Sequence, residues 1–187
     1  MNNPERILHT LDRHLRQSTS IVLFGRAALA LGYPAAPPEF GVTHDVDALL
    51  PAVEMTRIET DQQFWDALEA TNKELEPAGL YMTHLFTDEQ VILTPDWLHN
   101  AVPLGPADTF RHLRLFRPAG IDFILTKMMR DDPQDHQDIR FLLAREKITA
   151  RQLAEAFASA RVPDIPELLV VFQRMQPAVM SALRALP

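Results

Sequence analysis

The segment Thr43-His44-Asp45-Val46-Asp47-Ala48-Leu49-Leu50 has the alternation of a β-strand. Residues two apart on a strand share a face, so Asp45 and Asp47 point one way while Val46 and Ala48 point into the opposite layer. Two carboxylates on one face repel each other unless they are solvated, protonated or bridged by a cation. Mg²⁺, or Mn²⁺ in its place, is a natural bridge, because it accepts a few carboxylates and takes its other oxygens from phosphate. A solvated strand end has the same pattern, since a bare D-x-D is weakly specific. Upstream, Ile21-Val22-Leu23-Phe24-Gly25-Arg26-Ala27-Ala28-Leu29 reads as a strand that turns at glycine into a short helix. Such a turn presents backbone N–H groups and the positive end of a helix dipole to an anion. Gly25 would let a phosphate approach the backbone, and Arg26 would add a charged fork. An ordinary strand–helix turn with an exposed arginine has the same sequence.

In order and type, these elements resemble the nucleotidyltransferase superfamily, whose signature is strand, Gly-(Gly/Ser), helix, then a strand bearing D-x-D. The run from Ile124 through Lys127, Arg130, Asp135 and Asp138 to Ile139 is similar to the Lys…Arg…Lys-Asp-x-x-Asp-Ile helical segment of one branch. That branch contains the abortive-infection nucleotidyltransferase toxins of bacterial toxin–antitoxin systems and related nucleotidyltransferase-like domains. The likeness extends from Ile21 to Leu143. It implies that Asp45 and Asp47 ligate the metal and that Gly25 and Arg26 hold the nucleotide phosphates. It further implies that Lys127 and Arg130 contact the triphosphate, and that Asp135 orients that site or assists the attacking group. Asp138 lies one turn from Asp135 on the same helix face, and which of the two matters more stays open.

The activity implied is metal-dependent transfer of NMP from an NTP to an acceptor hydroxyl, on an RNA end or a protein, with an antitoxin as partner. In-line displacement at phosphorus asks a protein mainly to position reactants and neutralise charge. An aspartate pair, a lysine and a helix N-terminus supply those parts. Three positions depart from the pattern. Arg26 stands where the second Gly or Ser is usual, Gln134 stands before Asp135 in place of Lys, and Leu80–Phe86 holds no carboxylate. These departures keep two alternatives open: a catalytically degenerate nucleotide-binding or interaction protein on the same fold, and a small-molecule, antibiotic-type nucleotidyltransferase.

The surrounding elements must hold these groups in place. Asn3-Pro4-Glu5 reads as a helix start, followed by the apolar stripe Ile7, Leu8, Leu11, Leu15. Thr60-Asp61-Gln62-Gln63 resembles a capping box for a helix carrying Phe64, Leu68 and Leu75. Leu80–Phe86 and Gln90–Thr94 read as two strands joined by a turn, with Phe110–Phe116 as a further strand. Beyond Pro118 the pattern is helical, with starts at Asp132-Pro133, Thr149 and Asp164-Ile165-Pro166, and with Leu169, Phe172, Met175 and Val179 on the last apolar face. The expectation is α+β: a small mixed nucleotidyltransferase-type sheet flanked by helices over residues 1–117, then a helical bundle packed on it over residues 118–187.

Composition narrows the choice. A chain of 187 residues with 47% apolar content can bury a substantial core. The absence of cysteine excludes disulfides, Cys-ligated zinc and thiol catalysis. The 6 glycines never fall within three residues of one another, so neither a GxGxxG fingerprint nor a Gly-rich P-loop is present. With 18 basic and 25 acidic residues the formal charge is −7, which disfavours coating a nucleic acid but not gripping one RNA end. No secretory h-region and no apolar run of ~20 residues is visible, so a soluble cytoplasmic protein with no membrane partner is expected. His44 should face away from the carboxylates as a packed or hydrogen-bonded residue, and His84 and His99, flanking the apolar stretch around Trp97, read as core or surface residues, with lining of a base or acceptor pocket as the alternative. Arg111, Arg114 and Arg117 form either a small basic patch or a solvated face.

Overall fold

The computed structural model describes residues 1–106 and 108–186; the side chains of Val53, Met55, Thr56, Thr83 and His84 also lie outside the described set. The fold is mixed α+β, and the chain divides into two compact units. The first unit comprises Met1–Thr87 and Ala101–Arg117, the second Asp88–Asn100 and the chain from Pro118 onward.

In the first unit, α1 (Asn3–His14) begins with a capping box: Asn2 accepts from the Glu5 N–H and the Glu5 carboxylate accepts from the Asn2 N–H. Ile7, Leu8 and Leu11 are wholly buried along its inner face. β1 (Thr19–Phe24) turns directly into α2 (Gly25–Gly32). A 3₁₀ turn (Pro38–Val42) then leads to β2 (Asp45–Leu50). Next come α3 (Ala52–Glu59), which the sequence reading does not anticipate, α4 (Gln62–Leu75) and β3 (Tyr81–Thr87). The cap of α4 is Asp61, whose carboxylate accepts from the Phe64 N–H at 3.1 Å, while Thr60 closes α3. β4 (Val102–Pro103) and β5 (Leu113–Arg117) complete the sheet.

The strand order is β3-β2-β1-β5-β4. β1 runs antiparallel to β2 and parallel to β5, and β2 runs parallel to β3. A parallel pair needs a crossover, and α3 with α4 supplies it between β2 and β3. The central strands are thus held on both sides, and Ile21, Leu23, Val46, Ala48 and Leu49 are at most 1% exposed. The sheet is closed at β3 by Asn72 of α4, whose amide donates to the Met82 carbonyl at 3.0 Å and accepts from the Met82 N–H at 2.8 Å. Asp12 of α1 ties the start of β5, accepting from the N–H groups of Arg111, His112 and Leu113.

The second unit contains α5 (Gly120–Lys127), α6 (Pro133–Arg145), α7 (Ala150–Ser159) and α8 (Pro166–Arg184). The Thr149–Gln152 capping box forms as expected at α7. On α8 the buried stripe is Leu168, Phe172, Met175 and Val179, whereas Leu169 is 45% exposed. The strand expected over Gln90–Thr94 is absent. Asp88–Gln90 is a 3₁₀ turn, and Leu93 makes only an isolated bridge with Arg161. The Thr94 N–H and hydroxyl donate instead to one oxygen of Asp122, at 2.7 and 2.8 Å. That carboxylate takes the place of a strand partner. Among the described residues, no helix is long and apolar enough to cross a membrane.

Candidate functional site

The site is built at the carboxyl end of β1, where the backbone must reverse into α2. Phe24 is extended (φ −136°), and Gly25 takes φ +68°, the left-handed region in which a Cβ is penalised. Phe24 also lies opposite Asp47 in the antiparallel β1–β2 ladder. The pairing therefore delivers the glycine turn to the second carboxylate of the D-x-D. A Cβ added to Gly25 would stand 3.6 Å from Asp47 Oδ2. The start of α2 and the Asp47 carboxylate are neighbours.

The alternation expected of β2 is present. Asp45 and Asp47 are half-buried, and the intervening Val46 and following Ala48 are 0% exposed. A register irregularity against β3 falls between Val46 and Asp47 without disturbing this pattern. The Thr43 hydroxyl donates to Asp45 Oδ1 at 2.7 Å. Among the described residues no other hydrogen bond reaches the Asp45 carboxylate. The described residues contain no group of three or more His, Asp or Glu side chains suited to a metal. Asp45 and Asp47 are the two carboxylates here that could hold a cation. That set fits Mg²⁺ or Mn²⁺, which completes its octahedron with water and substrate phosphate.

Arg26 differs from expectation. Its side chain is half-buried, and its guanidinium lies 5.2 Å from the centroid of the Phe40 ring, a cation–π contact with a fully buried aromatic. This contact engages it with the 3₁₀ turn ahead of β2.

The second group of expected residues forms a cluster in the second unit. Asp132 caps α6 by accepting from the Asp135 N–H at 2.8 Å. Asp135 and Asp138, three residues apart, then share the face of α6 that meets Lys127 of α5. Lys127 Nζ lies 2.6 Å from Asp138 Oδ2 and 3.3 Å from Asp135 Oδ1. Arg130 adds a fork to Asp135, with Nε at 3.0 Å from Oδ2 and Nη2 at 3.3 Å from Oδ1. Lys127, Asp135 and Asp138 are respectively 5%, 1% and 0% exposed. Burial pushes the Asp135 carboxyl above the usual carboxylate range, against the downward pull of Lys127 and Arg130. Burial and doubled pairing make Lys127 an internal counter-ion, and make Asp135 a member of an ion network. Neither is an open group of the kind a triphosphate or an acceptor hydroxyl would meet directly. Both Asp135 and Asp138 contact Lys127, with the shorter contact to Asp138.

His44 is exposed, and its Nδ1 lies 3.2 Å from the Gly79 carbonyl oxygen. His99 is exposed, and the side chain of His84 lies outside the described residues. The arginine patch loses a member: Arg117 is 9% exposed with its guanidinium 4.4 Å from the Tyr33 ring centroid, while Arg111 and Arg114 are exposed. Positions three apart on a strand face opposite sides, so Arg114 and Arg117 separate. The site residue that the sequence reading missed is Thr43. Its signal was the same two-residue spacing that aligns the aspartates, extended one step toward the N-terminus. Comparison with models of known protein families, with curated proteins and with solved structures finds no significant match to this chain.

Proposed function

We propose that the chain is a metal-dependent nucleotidyltransferase that moves NMP from an NTP to an acceptor hydroxyl on an RNA end or a protein. The observation that carries this is the adjacency of Gly25 and Asp47, 3.6 Å from a would-be Cβ to Oδ2, with Asp45 on the same strand face. It supports a site where a triphosphate would lie against the first N–H groups of α2, with Asp45 and Asp47 placed to hold a divalent cation beside it. Mg²⁺ or Mn²⁺ held by Asp45 and Asp47 supplies Lewis-acid neutralisation of phosphoryl charge. The acceptor hydroxyl oxygen attacks the α-phosphorus and gives up its proton to solvent. A new P–O bond forms, the bond to the bridging oxygen of the β-phosphate breaks, and pyrophosphate leaves. Gly25 keeps the backbone accessible, and the ladder between β1 and β2 holds both carboxylates in register with it. Lys127, Arg130, Asp135 and Asp138 act in this proposal as positioning residues that fix α5 on α6. The proposed setting is a cytoplasmic toxin of a toxin–antitoxin pair, with a small antitoxin as partner.

The test is incubation with each α-labelled NTP, Mg²⁺ and total cellular RNA or protein. Label should pass to a macromolecule with the wild-type chain and not with the Asp45→Asn/Asp47→Asn variant. Equal labelling by that double variant would overturn the site assignment. Two observations favour a second reading, a nucleotide-binding protein without turnover: the guanidinium of Arg26 lies over Phe40, and β3 carries no carboxylate. Metal-dependent nucleotide binding without transfer to any acceptor, small antibiotics included, is the outcome that supports it.

A further inference from the structure

We propose that Thr43 is a positioning residue for the metal-binding carboxylate of Asp45, an assignment that rests on the nucleotidyltransferase reading of the site. Thr43, Asp45 and Asp47 follow one another at two-residue intervals, the two aspartates on β2 and Thr43 ahead of it, across a bend at His44. Thr43 itself is extended in ψ (143°) as the residue that closes the 3₁₀ turn Pro38–Val42. Its hydroxyl reaches forward and donates to Asp45 Oδ1 at 2.7 Å, the short distance of an O–H to a carboxylate.

This bond has a chemical consequence. An ionised carboxylate has about four lone-pair sites and no donor of its own. Thr43 occupies one on Oδ1, and no other hydrogen bond among the described residues reaches either oxygen. The carboxylate is thereby fixed in rotation at one oxygen and left with open acceptor capacity. That is the state a cation ligand needs, because a freely rotating carboxylate must lose that freedom when the ion binds. A hydroxyl does this without adding charge. A cationic partner in the same place would cancel the field that draws the metal. Among the described residues the hydroxyl's hydrogen bond goes to Asp45 alone, so removing it disturbs nothing else described. Thr43→Val keeps the β-branched shape and deletes the donor; Thr43→Ser keeps the donor and deletes a methyl.

The experiment measures Mn²⁺ binding by the loss of the free-ion electron paramagnetic resonance signal, with and without the α,β-methylene analogue of ATP. The full-length chain is used as wild type, T43V, T43S, T43A and D45N. Circular dichroism and thermal melts check that each variant is folded, and T43A is the second donor-less variant if T43V does not fold. The expected result is that T43V and T43A weaken Mn²⁺ affinity about tenfold, the scale of outer-shell hydrogen-bond losses at metal sites. T43S should stay within about twofold of wild type. Affinity for the analogue without metal should be unchanged in all three. Wild-type Mn²⁺ affinity in T43V and T43A, alongside loss of binding in D45N, would overturn the role of Thr43 while leaving the aspartate pair intact. Absence of Mn²⁺ binding by the wild-type chain, with and without the analogue, would overturn the nucleotidyltransferase reading and this inference with it.

Discussion

Replacing Lys127 by Met separates an internal counter-ion from a substrate contact. Lys127, Arg130, Asp135 and Asp138 carry two positive and two negative charges, so the cluster is formally neutral. Met keeps most of the alkyl volume and removes one charge. Arg130 still holds Asp135, but Asp138, 0% exposed, loses its 2.6 Å partner. Removing one member of a buried ion pair costs about 3–5 kcal/mol. That is a large share of a domain's total stability of about 5–15 kcal/mol. At about 4–8 °C per kcal/mol for a domain of 60–100 residues, the melt should fall by about 12 °C or more. The chain has one tryptophan in each unit, Trp65 in the first and the 1%-exposed Trp97 in the second. A Trp65→Phe background therefore lets Trp97 fluorescence follow urea unfolding of the second unit. The deficit should also depend on pH. Asp135 already has a carboxyl pKa raised by burial, and loss of Lys127 removes a group that pulls it down. A carboxyl raised in the folded state contributes stability that is complete below its unfolded value and fades as pH rises through the folded one. The penalty of Lys127→Met should therefore be smaller at pH 5 than at pH 8. Lys127→Met/Asp138→Leu should regain part of the loss, because the double variant no longer buries the carboxylate that Lys127 neutralised. A stability change under about 1 kcal/mol, together with lost NTP affinity, would refute this account and make Lys127 a direct ligand of the triphosphate.

Asp12→Asn should destabilise the first unit by about 2 kcal/mol, since three backbone N–H groups lose a charged acceptor. Burial pushes the Asp12 carboxyl up, but those three N–H groups and His112 outweigh it and hold the pKa below the usual range. Its contribution is complete above the unfolded value and lost as pH falls through the lowered folded value, so wild-type and variant urea midpoints should converge on acidification. Asn72→Ala removes both hydrogen bonds that cover Met82 at the outer edge of β3. A loss of about 1–2 kcal/mol and faster aggregation on warming, read by light scattering, are expected. Gly25→Ala should cost about 1–2 kcal/mol, from the φ of +68° alone, because the new Cβ meets Asp47 at an ordinary 3.6 Å. A thermal melt within 1 °C of wild type would contradict this.

Local signals carried much of the fold. The apolar–polar alternation around Val46 and the lone Gly25 after an apolar run were enough to predict a strand, a turn and two carboxylates on one face. The capping box at Thr149 was also local, and formed as written. Where two caps stood side by side, the spacing to the acid decided: Glu5 is three residues from Asn2, which makes Asn2 the cap rather than Asn3. The misreadings are cases where burial and pairing look alike in sequence. Val91, Ile92 and Leu93 are at most 2% exposed, as a core strand would be, yet Thr94 is satisfied by a side chain and no ladder forms. α3 is not legible because Pro51 opens it without a polar cap and it runs for only 8 residues. The pairing of Lys127 with both Asp135 and Asp138 depends on how α5 meets α6, and no spacing along the chain contains that. Thr43 has the same two-residue spacing, but a neutral hydroxyl carries no charge signal that sets it apart in the sequence.

The central claim is that Asp45 and Asp47, beside the Gly25 turn, form a metal-dependent nucleotide site. The direct measurement is calorimetric titration of the full chain with each NTP, with and without Mg²⁺, for wild type and for Asp45→Asn/Asp47→Asn. The account predicts a saturable Mg²⁺-dependent heat for at least one NTP in the wild type, and its loss in the double variant with an unchanged thermal melt. Mg²⁺-dependent binding that survives in the double variant, or no binding of any NTP by the wild type, would contradict it.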